Sequence, residues 1–85
     1  DPERVKQDSM SRLSRKPGDW RENQVLAWAN WKLGRKDESR AALKRALELN
    51  PSEKELQENW QATQKPGAKP DDFKISMRVG VSFTD

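Results

Sequence analysis

Histidine and cysteine are both absent from this 85-residue chain. Their absence removes the most common general base, the thiol nucleophile and the usual zinc ligands. No Ser-x-x-Lys motif and no glycine-rich phosphate loop is present either. Neighbouring carboxylates do occur, at Asp71 and Asp72 and in the series Glu53, Glu55 and Glu58, but a linker and a solvated helix face explain them better. The sequence therefore predicts no enzyme activity, no cofactor and no metal site.

Long apolar runs are also missing, since no stretch approaches the roughly 20 consecutive apolar residues of a membrane helix. Hydrophobic residues make up 32% of the chain and charged residues 36%, so only a small core can be built at this length. The net charge of +3 is a mild basic excess that weakly favours acidic partners. Because there are no thiols to indicate a redox compartment, periplasmic and cytoplasmic locations both stay open.

Two helices joined by a tight turn are predicted between Asp19 and Pro51. Asp19 is a favourable N-cap residue, and Glu22 stands three residues later in the capping-box position. Gly34 lies where a helix end favours the left-handed conformation, and Pro51 prevents further helix. We therefore expect helices at residues 19–33 and 37–49. The first is apolar around much of its circumference, which predicts a helix covered on more than one side.

Capping signals on both sides predict two further helices. Asp1 and Pro2 suit an N-cap and a first helical position, which predicts a helix at residues 2–15. Ser52 and Glu55 form a second capping-box pattern, which predicts a helix at residues 53–63 with its glutamates in water. The expected fold class is therefore all-α with about four helices.

The central helix pair resembles the tetratricopeptide repeat, a 34-residue helix–turn–helix unit. The residues that carry the resemblance are Leu26, Ala27, Gly34, Leu43, Ala46 and Pro51. The same period relates Pro17 to Pro51, Leu13 to Leu47 and Leu26 to Trp60. The resemblance implies antiparallel helix pairs in a solenoid, with a full repeat at 20–53 and partial repeats on both sides within a domain spanning 1–64. We expect so short an array to be a piece of a longer repeat protein.

Members of this family bind proteins or peptides, and the first helix of each repeat lines the concave face. Transferred position by position, the implied partner-binding residues are Arg21, Gln24, Trp28, Trp31 and Lys32. Two indoles flanked by cations would hold aromatic or aliphatic side chains beside a carboxylate. The competing interpretation places Trp28 and Trp31 in the core.

The last part of the chain has a different composition. Residues 65–72 contain two prolines and a glycine, which predicts a linker that uncouples the remaining residues from the helices. From Phe73 to Phe83 apolar and polar residues alternate, which predicts a strand within a tail at 73–85. A lone strand needs a mate, so we expect self-association or pairing with a partner through Phe73–Phe83.

Two other functions fit parts of this pattern. Bacterial export proteins for surface polysaccharides join tetratricopeptide repeats in the periplasm to an outer-membrane barrel, which the strand could begin. Contact with a membrane would then occur only through a neighbouring domain. Lys36, Arg40 and Lys44 recur every four residues and could form a basic ridge, but no aromatic residue is interleaved for base stacking. Nucleic-acid binding is therefore not expected.

Overall fold

A computed structural model describes residues 1–75 as four α-helices followed by one short 3-10 turn. The helices are α1 (Pro2–Arg15), α2 (Trp20–Lys32), α3 (Lys36–Leu49) and α4 (Lys54–Gln64), and the 3-10 turn is Pro70–Asp72. The predicted all-α class with four helices is confirmed, and every helix bound agrees with its prediction to within one residue. The described residues contain no strand, and most of the strand predicted at 73–83 lies outside them.

Aspartate side chains begin the first two helices. The carboxylates of Asp1 and Asp19 each accept hydrogen bonds from two backbone N–H groups in the first turn. The capping box predicted at Ser52 is not formed, and α4 begins after Glu53 without a side-chain cap. Ser52 lies within a turn closed by the Glu53 N–H and the Asn50 carbonyl, which are 3.3 Å apart, so it stands too early to cap the helix.

The turn between α2 and α3 depends on Gly34, whose φ angle is +79°. The N–H of Gly34 donates to the Trp31 carbonyl at 3.1 Å, and the N–H of Arg35 donates to the Asn30 carbonyl at 2.9 Å. This pair of bonds is the Schellman closure, in which a residue in the left-handed region ends a helix. The turn predicted at Gly34 is therefore confirmed.

α2 lies at the centre of the molecule. It packs against α1 on one side and α3 on another, and α3 also packs against α4. Seven of its 13 residues are buried, as expected for a helix that is covered on several sides. The apolar core cluster consists of Ala27, Trp31, Ala42, Leu43, Ala46, Leu56 and Phe73. None of the helices within residues 1–75 is long and apolar enough to cross a lipid bilayer.

Polar contacts also join the helices. The hydroxyl of Ser39 on α3 donates to the Ala27 carbonyl of α2 at 2.7 Å, at a buried position. Ser9 on α1 donates to a carboxylate oxygen of Glu22 on α2, also at 2.7 Å. Buried donors that find acceptors in this way avoid the cost of an unpaired polar group. The Ser39 contact shows why a hydroxyl is accepted at a tight helix crossing.

Ala46 lies fully buried on α3, so replacing it by leucine should force added methylenes into filled space. We expect Ala46→Leu to lower the free energy of unfolding by about 1–3 kcal/mol. Urea denaturation followed by circular dichroism measures this change. Ala41→Leu on the exposed side of the same helix is the matched control, with an expected change within about 0.5 kcal/mol. Equal midpoints for the two variants would show that α3 does not pack through Ala46.

The C-terminal segment, defined here as residues 66–75, packs against the helices. Phe73 is only 4% exposed, and its ring lies against Trp31 with 6.4 Å between the ring centroids. The expectation that residues 65–72 uncouple the rest of the chain from the helices therefore does not hold. Proline and glycine exclude α-helix here, but they still permit a turn that returns Phe73 to the core.

Candidate functional site

Asn59 of α4 holds the backbone of the C-terminal segment. Its side-chain Nδ2 donates to the Lys74 carbonyl at 2.7 Å, and its Oδ1 accepts from the Lys74 N–H at 2.8 Å. A carboxamide offers both a donor and an acceptor, so it can satisfy both backbone groups of one residue. This contact depends on the backbone of Lys74 and not on its side chain, which is exposed.

Trp31 of α2 contacts the same segment at two points. Its indole N–H donates to the Lys69 carbonyl at 3.0 Å, and its ring system lies against Phe73 at an interplanar angle of 37°. The Lys36 ammonium lies 5.5 Å from the Trp31 ring centroid, within range of a cation–π interaction. Trp31 therefore combines an apolar contact, a hydrogen bond to backbone and a cationic neighbour.

An ion pair lies beside the contacts that Trp31 makes with the C-terminal segment. The Lys32 ammonium lies 3.2 Å from a carboxylate oxygen of Asp71 and 5.9 Å from the Trp28 ring centroid. The Asp71 side chain is 96% exposed, so this pair contributes little stability. It nevertheless places an acidic side chain of the segment beside a cation of α2. We call the surface formed by Trp28, Trp31 and Lys32 on α2 with Asn59 on α4 the α2–α4 face.

A cavity of about 400 Å³ adjoins the α2–α4 face, between α4 and the C-terminal segment. Charged residues of both signs line it, namely Glu58, Lys65, Asp71, Asp72 and Lys74. The segment therefore leaves part of the space beside Asn59 unfilled. Within residues 1–75, no group of three or more histidine, cysteine, aspartate or glutamate side chains is placed to hold a metal ion.

Three of the five predicted partner-binding residues meet on this face. Trp28 and Lys32 are half-buried neighbours, as a binding surface requires. Trp31 is 3% exposed, so the partial exposure expected of a groove residue is not found. The reason is that Phe73 covers its ring, which sequence spacing within the helices could not indicate.

The other two predicted residues have different roles. Gln24 is buried, and its side-chain Nε2 donates to a carboxylate oxygen of Glu55 at 2.9 Å. This bond ties α2 to α4 and also corrects the expectation that Glu55 faces only water. Arg21 is exposed, and its guanidinium carbon lies 5.2 Å from the Trp20 ring centroid. Both of these contacts are made within the helices rather than with the C-terminal segment.

Asn59 is the site residue that sequence reasoning missed. It lies between Leu56 and Thr63 at helical spacing, on the stripe that α4 turns inward, and all three residues are buried. A carboxamide on a buried stripe needs polar partners. That requirement is the signal that could have identified Asn59 as a contact for backbone arriving from elsewhere in the chain.

Two buried asparagines allow a matched test of this contact. Asn59 is 1% exposed, and its Nδ2 and Oδ1 each make a hydrogen bond to the Lys74 backbone, whereas Asn30 is 3% exposed and its Oδ1 has no hydrogen-bond partner. We expect Asn30→Leu to raise the free energy of unfolding by about 1 kcal/mol, because it removes a buried unpaired oxygen while keeping the side-chain branching. Asn59→Leu should lower it by about 1–3 kcal/mol, because it leaves two backbone groups unpaired. Thermal or urea denaturation of both variants measures the difference, and changes of the same sign would contradict the assignment.

The three cations of the possible basic ridge on α3 differ in their contacts. Lys36 lies over Trp31, and the guanidinium of Arg40 donates to the Thr63 carbonyl near the end of α4 at 2.8 Å. A cation at the carbonyl end of a helix is favourable for that helix. Lys44 is exposed. Two of the three cations are therefore engaged with neighbouring helices.

The described chain is thus an all-helical domain whose α2–α4 face holds a segment of its own backbone. Comparison with protein-family models, with curated proteins and with solved structures gave no significant match. Function is therefore inferred from the contacts of the α2–α4 face.

Proposed function

We propose that this chain is a protein-interaction module of the tetratricopeptide-repeat type, which binds a peptide on its α2–α4 face and catalyses no reaction. The 34-residue spacing and the burial of Ala27 and Ala46 at helix contacts support the repeat. Antiparallel order is supported by two contacts. Arg12 in the last turn of α1 pairs with Glu22 in the first turn of α2 at 3.7 Å, and Arg40 early in α3 bonds to Thr63 late in α4.

The observation that carries this proposal is the peptide segment already seated on the α2–α4 face. Asn59 binds both backbone groups of Lys74, and Trp31 binds the backbone carbonyl of Lys69. Lys69 and Phe73 have extended backbone angles, and one 3-10 turn separates them. A face that holds backbone in this way can accept another peptide of similar shape, since most of its bonds do not depend on side chains.

The contacts differ in what they contribute. Each neutral hydrogen bond from Asn59 or Trp31 contributes about 0.5–1.5 kcal/mol. The aromatic pair formed by Trp31 adds about 0.5–1.5 kcal/mol beyond the area it buries. The exposed Lys32 ion pair contributes at most about 1 kcal/mol. Affinity therefore comes from Asn59 and Trp31, whereas Lys32 selects peptides with an acidic residue at the right position.

A display selection from random peptides tests the proposal. The bait is the full chain with Phe73→Ala, which removes the side chain that covers Trp31, or with Lys74→Pro, which removes the N–H bound by Asn59. Phe73 is already in the extended region that precedes proline, so Lys74→Pro suits the local backbone. Circular dichroism first establishes which bait is helical.

We expect peptides to be enriched on the opened baits and to be lost when Asn59→Leu is added. Asn30→Leu is the matched control, because it makes the same change at a buried asparagine outside the α2–α4 face. Enrichment that survives Asn59→Leu, or no enrichment on a helical bait, would refute a peptide site at this face.

A further inference from the structure

We infer that residues 69–74 are an intramolecular ligand of the α2–α4 face, and that the partner peptide has the same chemistry, two acidic residues directly followed by an aromatic residue. This inference rests on the proposed peptide-binding function and names both its ligand and its regulation. The site would then be closed by the chain itself until a matching peptide from another protein competes for it.

The segment contacts the face as a ligand does. Phe73 is the only buried residue of positions 69–74, and the other side chains there are exposed. An element built into a core buries residues at regular intervals, whereas this segment has one buried aromatic anchor, a half-buried Ala68 beside the same cluster, and bonds to backbone at Lys69 and Lys74. One anchor with backbone bonds on both sides is how a short peptide is recognised.

Four positions of the segment, residues 71–74, define requirements on the partner. The aromatic ring must lie against Trp31, as Phe73 does. The acid at the Asp71 position faces Lys32 at 3.2 Å, and the acid at the Asp72 position accepts the Lys69 N–H at 2.8 Å, which closes the turn. The residue after the aromatic can carry any side chain but cannot be proline, since its N–H is needed by Asn59.

The connection to α4 explains why the segment would occupy its own site. α4 ends at Gln64, and the segment makes its hydrogen bond to Trp31 at Lys69. So short a tether gives an effective concentration on the order of millimolar. A free peptide can then bind only the fraction of molecules in which the segment has dissociated from the α2–α4 face. The apparent affinity of the peptide is reduced by the same fraction.

The probe for a direct test is a fluorescent peptide of residues 68–75, AKPDDFKI, titrated into the full chain and followed by anisotropy. The proteins are the unchanged chain, Phe73→Ala and Lys74→Pro, so that one opened variant suffices if the other does not fold. One control peptide carries alanine in place of the phenylalanine. The other keeps the phenylalanine and carries proline directly after it.

We expect saturable binding to the opened variants and at least tenfold weaker binding to the unchanged chain. Both control peptides should bind the opened variants at least tenfold more weakly than AKPDDFKI, and Asn59→Leu should abolish binding. Equal affinity for the unchanged and opened chains, or no binding of AKPDDFKI to a helical opened variant, overturns the inference.

Two further results separate this inference from the proposed function. If display selection yields peptides that need Asn59 but lack the acid–acid–aromatic order, the interaction module stands and this ligand assignment fails. If neither selected peptides nor AKPDDFKI bind, the proposed function and this ligand assignment both fail.

Sedimentation of the unchanged chain at micromolar concentration should show a monomer, and a dimer that Phe73→Ala abolishes would overturn intramolecular docking.

Discussion

Replacement of Phe73 by alanine is expected to lower the free energy of unfolding by about 3–5 kcal/mol, the usual cost of losing a buried phenylalanine. Phe73 is 4% exposed and belongs to the apolar cluster that contains Trp31 and Leu56. Its removal also exposes the indole of Trp31 to water. The loss should be large for a chain of 85 residues with so small a core.

Urea denaturation followed by the circular dichroism of the helices measures this effect. Met10→Ala is the control, because Met10 is a large apolar side chain that is 49% exposed, and we expect a change within about 0.5 kcal/mol. If Phe73→Ala and Met10→Ala have the same midpoint, Phe73 is not docked and residues 65–72 do act as an uncoupling linker.

Replacement of Leu43 by alanine should have a comparable effect, a loss of about 2–5 kcal/mol. Leu43 is fully buried on α3 within the same cluster as Ala27 and Leu56, so its loss leaves a cavity that the surrounding helices fill only in part. Differential scanning calorimetry should show a lower melting temperature. Leu49→Ala, near the exposed end of the same helix, should change it far less. A similar shift for both leucines would mean that α3 does not present Leu43 to the core.

The helices could be predicted from the sequence because their signals are local. Asp1 and Asp19 cap the helices that they precede, and Gly34 makes the turn for which its position is typical. Helical spacing of Ala42, Leu43 and Ala46 matches the buried side of α3, whereas Leu49 at the end of the apolar stripe is 36% exposed. Such features act within one or two turns of backbone, so a single sequence contains them completely.

The position of the C-terminal segment could not be predicted because it depends on contacts between distant residues. Trp31 and Phe73 are far apart in sequence, and nothing near Phe73 indicates a gap beside an indole. The prolines and glycine before Phe73 correctly exclude helix, but they say nothing about where the chain goes next. The prediction for Ser52 was wrong for a local reason, since a turn closed between Asn50 and Glu53 makes Glu53 and not Ser52 the N-cap residue of α4.

The candidate site could be predicted in part. Resemblance to a repeat family selected Trp28, Trp31 and Lys32, which do lie together on α2. It did not indicate that Phe73 covers Trp31, nor that Asn59 binds backbone. The buried position of Asn59 on α4 indicates that it needs polar partners, but only the structure shows that the partner is the backbone of Lys74.

The most direct measurement is a ¹H–¹⁵N NMR titration of the full chain with Phe73→Ala or Lys74→Pro, to which the peptide of residues 68–75 is added. We expect saturable chemical-shift changes of the Trp31 indole N–H and of the Asn59 side-chain amide. The chemical shift of the Asn23 side-chain amide should not change, because this amide bonds to the Asp19 carbonyl on another side of α2. A peptide site at the α2–α4 face would be contradicted if saturating peptide left the Trp31 and Asn59 signals unshifted. Shift changes centred on α1 and α3 would contradict it as well.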